Sequence, residues 1–378
     1  MKPTTHLRKW VMGYIISDTH RNLARLRGRL RRTGKPIVHY FHQADDPYSH
    51  MAAQKLDLLR QRYDVDFETH QVSSPDKEFQ GDASRFKEWA LTDARSVAAF
   101  YGTELPDKLE KPSTDTTEGD LLRRRLGHYL SATFFFEGEW YWGLDRLHHL
   151  EHRLIELGFS QEPGEICVPR PRPEAATGID ASGITLEYFP SLRSPYTAIS
   201  FDRTIDLARR SGVTLRLRPV MPMMMRGIPA PRTKQLYIMT DAKREADYYH
   251  VEFGPIVDPI GEPVKRAFAL LPYMQSQGKE VEYCSNYLKA AWAEGLDITT
   301  EDGLREVVER SGASWEAATA LGSSWQPLLD DNVNDMLEAG LWGVPSFRVS
   351  GGNNDQPFSC WGQDRLWRVE TEISRRCA

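Results

Sequence analysis

Cysteine is scarce in this sequence: four thiols, Cys167, Cys284, Cys360 and Cys377, occur in 378 residues. None forms a C-x-x-C pair or a recognisable zinc spacing, so neither a redox dithiol nor a cysteine-ligated zinc site is expected. Nothing in their placement implies disulfides, and their scarcity fits a reducing cytoplasm. Long apolar runs are missing as well. The stretch Trp10 to Ile16 is too short to span a membrane, and no small-residue cleavage site follows it. A large excess of one charge is also absent. The formal net charge is -5, with 40% hydrophobic and 27% charged residues, which disfavours disorder and nucleic-acid binding alike. These absences leave a slightly acidic globular protein, long enough for two domains.

One segment departs from that balance. Within residues 1–35, Arg21, Arg25, Arg27, Arg29, Arg31 and Arg32 make a basic helical stretch. Such a stretch can meet a membrane or a nucleic acid, but a solvated face that docks on acidic residues of the same chain is the expected role.

What the sequence does contain is one plan written twice. Ile184 to Phe189 is a β-rich run, Ser194-Pro195-Tyr196 opens a helix, Gly212 stops it, and Val213, Leu215 and Leu217 alternate with polar residues as a half-buried strand does. Earlier, Ile37 to Phe41, Asp46-Pro47-Tyr48 and the alternation of Val65, Phe67 and Thr69 repeat this β-α-β unit. Leu91 to Tyr101 aligns without a gap on Met239 to Tyr249, and Tyr141 to Leu147 matches Cys360 to Leu366. An internal duplication explains the shared order. The expected domains are a basic segment over 1–35, a reduced copy over 36–160, a Pro- and Gly-containing linker over 161–182, and a second copy over 183–378. The second carries a long helical insertion, roughly Pro263 to Leu337, where the first has a short polar stretch around Pro106 to Glu118.

Serine followed by proline at 194 and 195 is a helix N-cap followed by the first helical position. A helix start also presents unpaired N–H groups and the positive end of the dipole, which favour a thiolate placed there. Asp364, just before the last helix, suits a cap in the same way.

The ordered set Ser194-Pro195-Tyr196, Arg218-Pro219-Val220, Lys234-x-x-Tyr237-x-x-x-Asp241-x-x-Arg244, Gly340 to Phe347 and Trp361 to Leu366 resembles the 2-hydroxychromene-2-carboxylate isomerase and kappa-class glutathione transferase branch of the DsbA-like thioredoxin superfamily. The resemblance covers most of residues 183 to 376. It implies an α/β fold of two tandem thioredoxin-like (DsbA-like) domains, the second with a long helical insertion, together with a glutathione site and a homodimer. It also implies that Ser194 hydrogen-bonds the glutathione thiolate, that Pro345 is a cis proline beside the active-site helix, and that Val344 offers backbone groups to the glutathione peptide. Gln363 and Asp364 would hold the γ-glutamyl end and Lys234 the glycine carboxylate. Tyr196 and Tyr237 would face the second substrate, and Met223, read from its own segment rather than from the resemblance, is either core filler or part of the floor of that substrate site. Met221 to Gly227 departs from the family, which usually has an asparagine reaching glutathione in this segment; here the methionines make an adaptable apolar wall.

In the first copy Asp46 stands where Ser194 stands and Ala132 where Pro345 stands, so this copy is not expected to activate glutathione: an aspartate caps a helix, but its charge repels a thiolate. His39, His42 and His50 lie near its helix start, yet no second ligand set accompanies them at a known spacing, and no metal centre is expected. The expected activity is glutathione-dependent isomerisation of, or transfer to, an unsaturated, aromatic carbonyl compound in the cytoplasm, without nucleic-acid or membrane partners. The alternatives are an atypical oxidoreductase, disfavoured because neither helix start is a cysteine, and a non-catalytic binding protein of the same fold.

Overall fold

The computed structural model describes residues 3–162, 164–173, 180–320, 324–353 and 356–377. Pro163 and residues 174–179 of the expected linker lie outside the described residues. The expected duplication is present as two four-stranded sheets of one design. In the first, β1 (Ile37–His42), β2 (Asp66–Gln71), β3 (Thr133–Phe136) and β4 (Glu139–Trp142) lie in the order β2-β1-β3-β4. In the second, β5 (Ile184–Phe189), β6 (Thr214–Leu217), β7 (Ser346–Gly351) and β8 (Phe358–Trp361) lie in the order β6-β5-β7-β8. The central strand of each pairs in parallel with the strand that follows its first helix, and antiparallel with the first strand of the closing hairpin.

The register repeats down to single side chains. Tyr40 lies opposite Phe134 and Tyr188 opposite Phe347. All four are fully buried, with ring centroids 4.8 Å and 5.1 Å apart respectively. An aromatic pair across antiparallel strands gains packing beyond its buried area, and each copy uses it to fix the strand behind its helix start. The helices themselves differ. Pro195–Ser211 is continuous and ends on Gly212 in the left-handed region, whereas the first copy breaks the same span into Pro47–Ala53 and Leu56–Arg62.

The insertion is helical as expected: Glu262–Ser276, Glu280–Lys289, a π-turn at Ala290–Glu294, Glu301–Arg310, Trp315–Ala320 and Gln326–Glu338. Its apolar faces bury Leu271, Tyr283, Tyr287, Val307 and Met336 almost completely; each such aliphatic side chain contributes about 1.5–3 kcal/mol. In place of all this the first copy has the short helix Thr117–Arg125.

The chain divides into two compact units. One comprises Ser17–Arg172 with Pro229–Tyr237, and the other Met1–Ile16, Pro173–Ile228 and Ile238–Ala378. Most of the basic segment thus belongs with the first copy. The Asp18–Leu30 helix sits on the β3–β4 turn, where Glu137 and Gly138 both have positive φ, as a two-residue hairpin turn requires. A Cβ on Gly28 would stand 2.4 Å from the Glu137 carbonyl carbon, so only glycine allows this approach. Arg25 then reaches Glu139 at 2.8 Å and Arg32 reaches Glu137 at 2.9 Å, which is the expected docking on acidic residues. All four cysteines are free thiols, and no described helix is long and apolar enough to cross a membrane.

Candidate functional site

Phe189, at the end of β5, pairs with Ser346 at the start of β7. That register brings the loop leading to Ser194 and the loop containing Pro345 to the same end of the sheet. Ser194 has an extended backbone (φ −99°, ψ 121°), and its Oγ accepts a hydrogen bond from Thr197 N at 3.1 Å. The serine is 8% exposed, and among the described residues its own hydroxyl hydrogen is donated to no acceptor. The Val344–Pro345 bond is cis, and the Pro345 carbonyl accepts from Gly362 N at 2.8 Å.

Two arginines, which the motif reading overlooked, frame this corner. Arg193, next to the cap, donates to both Asp258 oxygens at 2.8 and 2.9 Å, and its Nη1 lies 3.2 Å from the Met224 sulfur. Arg226 donates to Met221 O at 3.1 Å and to Trp342 O at 2.7 Å; burial lowers its pKa to about 10. The turn Met223–Arg226 is therefore tied at one end to the helix start and at the other to the segment entering the Val344–Pro345 bond. Met223, Met224 and Met225 are half-buried there, as an adaptable apolar wall would be. Charged residues flanking the Ser194 and methionine motifs are the one sequence signal that pointed to these anchors.

Tyr196 and Gln363 are more committed than their sequence roles suggest. The Tyr196 hydroxyl donates to Asp241 Oδ2 at 2.7 Å, leaving its half-buried ring as the part able to meet a substrate. The Gln363 amide nitrogen donates to Glu245 and to Asp364, both at 2.6 Å, and its oxygen accepts from Arg203 at 3.3 Å. Its amide is thus spent on holding Asp364, which is half-buried ahead of the closing helix Leu366–Cys377.

Lys234 and Tyr237 make their contacts within the other compact unit. Both sit in the first turns of the Arg232–Tyr248 helix that group with the amino-terminal unit. Lys234 Nζ donates to Phe79 O at 2.8 Å, and burial lowers its pKa to about 8. The Tyr237 ring packs edge-on against His128 at 4.6 Å, in a cluster with Phe41, Tyr129 and Trp140. The i to i+3 spacing on a helix gives Lys234 and Tyr237 a common face, and these contacts are what that face meets within its own unit.

The first copy builds the same corner with other groups. Asp46 caps Pro47–Ala53, and its Oδ2 accepts from Ser49 N at 3.0 Å, Ser49 Oγ at 2.7 Å and Ser131 Oγ at 3.1 Å. Ala132 O accepts from Gly143 N at 2.8 Å, as Pro345 O does from Gly362.

The DSBA-like thioredoxin domain family matches residues 185–374. No curated protein matches the chain. Among solved structures, a 2-hydroxychromene-2-carboxylate isomerase is 22% identical with a TM-score of 0.43, over 51% of this chain and 96% of that one. The cytosolic disulfide reductase DsbM from Pseudomonas aeruginosa, solved with GSH, is 18% identical with a TM-score of 0.39, over 51% and 99%. A protein from Nitrosomonas europaea, described as a disulfide isomerase, is 12% identical with a TM-score of 0.40, over 51% and 98%. With its match over half of its length, this chain belongs to the DSBA-like thioredoxin domain family.

Proposed function

We propose that the carboxyl-terminal copy is a cytoplasmic, glutathione-dependent isomerase or transferase for unsaturated, aromatic carbonyl compounds. The observation that carries this reading is the uncommitted hydroxyl hydrogen of Ser194, at a helix start, in a corner that also holds the cis Pro345. That hydrogen suits a sulfur anion, because a hydroxyl donor and a helix amino end both favour the charged form of a nearby thiol. When bound, glutathione supplies a nucleophilic sulfur that adds reversibly to a conjugated C=C bond, permits rotation about the resulting single bond, and leaves again with no net redox change. Ser194 holds charge on the sulfur by donating its hydroxyl hydrogen. Val344 offers its backbone to the tripeptide, Pro345 shapes that loop, and Asp364, steadied by Gln363, suits the γ-glutamyl ammonium. The Tyr196 ring and Met223 line the aromatic substrate. Thiol–disulfide exchange has no support here, since positions 46 and 194 carry no thiol.

The test follows the ultraviolet absorbance of glutathione thiolate against pH, with wild-type protein and with Ser194→Ala. Losing one hydrogen bond to a charged acceptor costs roughly 1.5–3 kcal/mol. The bound thiol pKa should therefore rise by about one to two, at about 1.36 kcal/mol for each. Identical thiol pKa values in the two folded proteins would dismiss the role given to Ser194.

A further inference from the structure

In the amino-terminal copy β1 and β2 run parallel, with His39 opposite Glu68 and Phe41 opposite His70. Side chains two residues apart on a strand share a face. Glu68 and His70 therefore project on one side of the sheet, beside His39 on the neighbouring strand. His39 Nδ1 and His70 Nε2 are 3.0 Å apart, and Glu68 Oε2 stands 3.5 Å from the first and 3.8 Å from the second.

Two readings of this triangle differ in what they leave unused. A hydrogen bond between the imidazoles accounts for the 3.0 Å edge alone, since the carboxylate oxygen lies beyond the 2.7–3.2 Å reach of an N–H donor from both rings. A shared cation uses all three atoms. The point equidistant from them lies about 2.0 Å from each, which is the bond length zinc makes to imidazole nitrogen and carboxylate oxygen.

The surroundings also fit. The His39 and His70 side chains are 23% and 20% exposed and Glu68 49%, so the rings are walled by protein while the carboxylate side opens to water, leaving room for further ligands.

We propose that His39, Glu68 and His70 bind a divalent transition metal of the zinc type, through two imidazole nitrogens and one carboxylate oxygen. The site takes histidines from two strands and leaves out His42 and His50. It is independent of the glutathione reading and gives the copy with the sealed helix start a ligand of its own.

Untagged, chelator-stripped full-length protein should bind one equivalent of Zn²⁺ by calorimetry and develop visible absorption with Co²⁺. Losing a direct ligand should cost more than the 10–100-fold typical of an outer-shell partner, so His39→Ala and His70→Ala should abolish the strong site. His50→Ala should bind like wild type. Glu68→Gln changes a half-exposed carboxylate without disturbing the sheet, and it should weaken binding on the order of tenfold or more even if a histidine variant fails to fold. Wild-type protein that takes up no Zn²⁺, or affinity unchanged in Glu68→Gln, would overturn the assignment.

Discussion

At the start of the helix that follows its central strand each copy places a capping side chain followed by proline and tyrosine, and the tyrosine hydroxyl reaches an aspartate on a later helix: Tyr48 to Asp93 and Tyr196 to Asp241, both at 2.7 Å. The frames agree closely, and the capping groups do not. Asp46 brings its own anion, buried and filled by three donors from Ser49 and Ser131. Ser194 brings a neutral hydroxyl that spends its oxygen on the cap and keeps its hydrogen. One copy therefore carries a carboxylate at the point where the other has a hydroxyl donor. A duplicated fold can exchange this capping group without losing the fold, because the cap survives and only the charge of the corner changes.

The frame common to both copies can be broken first, with the largest effect. Replacing either central tyrosine, Tyr40→Ala or Tyr188→Ala, empties a fully buried ring position stacked on Phe134 or Phe347. Aromatic truncation in a core costs about 3–5 kcal/mol, so each variant should lower the unfolding free energy of its own copy by a similar amount, read as a lower denaturant midpoint. A tyrosine whose removal costs little would show that the two sheets are not energetic equivalents.

The corner itself is sharpened by pH. Burial keeps the Asp46 carboxyl above its ordinary value of 3.8 despite the hydrogen bonds from Ser49 and Ser131. The folded chain thus retains this proton to higher pH than the unfolded chain. Its stabilising contribution is complete below about pH 3.8 and is lost as pH rises through the folded pKa. Asn caps as well as Asp and does not titrate. Relative to wild type, Asp46→Asn should therefore gain stability as pH climbs from about 4 toward neutrality. A difference in denaturant midpoint that stays flat over that range would remove the buried-anion description of the first copy.

The repeated strands and helices were legible because periodicity, Gly212, and the Asp-Pro and Ser-Pro pairs act locally. The cis Val344–Pro345 bond was legible only through the surrounding motif. For Lys234 and Tyr237 the helical pattern fixes that they share a face, but it does not name the partner that face meets. The His39–Glu68–His70 triangle was hidden for a related reason. Sequence proximity grouped His39 with His42 and His50, whereas the ligand geometry arises from the parallel register of β1 on β2, which depends on a crossover rather than on local spacing. The Arg226 anchor on Trp342 joins residues far apart in the chain, and no local pattern announces it.

The smallest effect concerns the loop facing the cap. Ala132 is completely buried with φ +52° at the position that Pro345 occupies in the second copy, yet its carbonyl keeps the equivalent 2.8 Å bond from a glycine N–H. A non-glycine residue in the left-handed region costs roughly 1–2 kcal/mol. Ala132→Gly relieves that strain but loses a buried methyl, about 0.8 kcal/mol, and frees the unfolded chain by about 0.4–1 kcal/mol. The terms nearly cancel, and the denaturant midpoint should move by less than about 1 kcal/mol equivalent. Ala132→Pro is the contrasting change: proline fixes φ near −65°, which the present loop does not offer, so this variant should be clearly less stable than the glycine one. If the proline variant were instead as stable as wild type, the loop would be free to take the form seen around Pro345. The two copies would then differ in this corner through Asp46 alone, and restoring a serine there would be the direct way to ask whether the first copy can receive an anion.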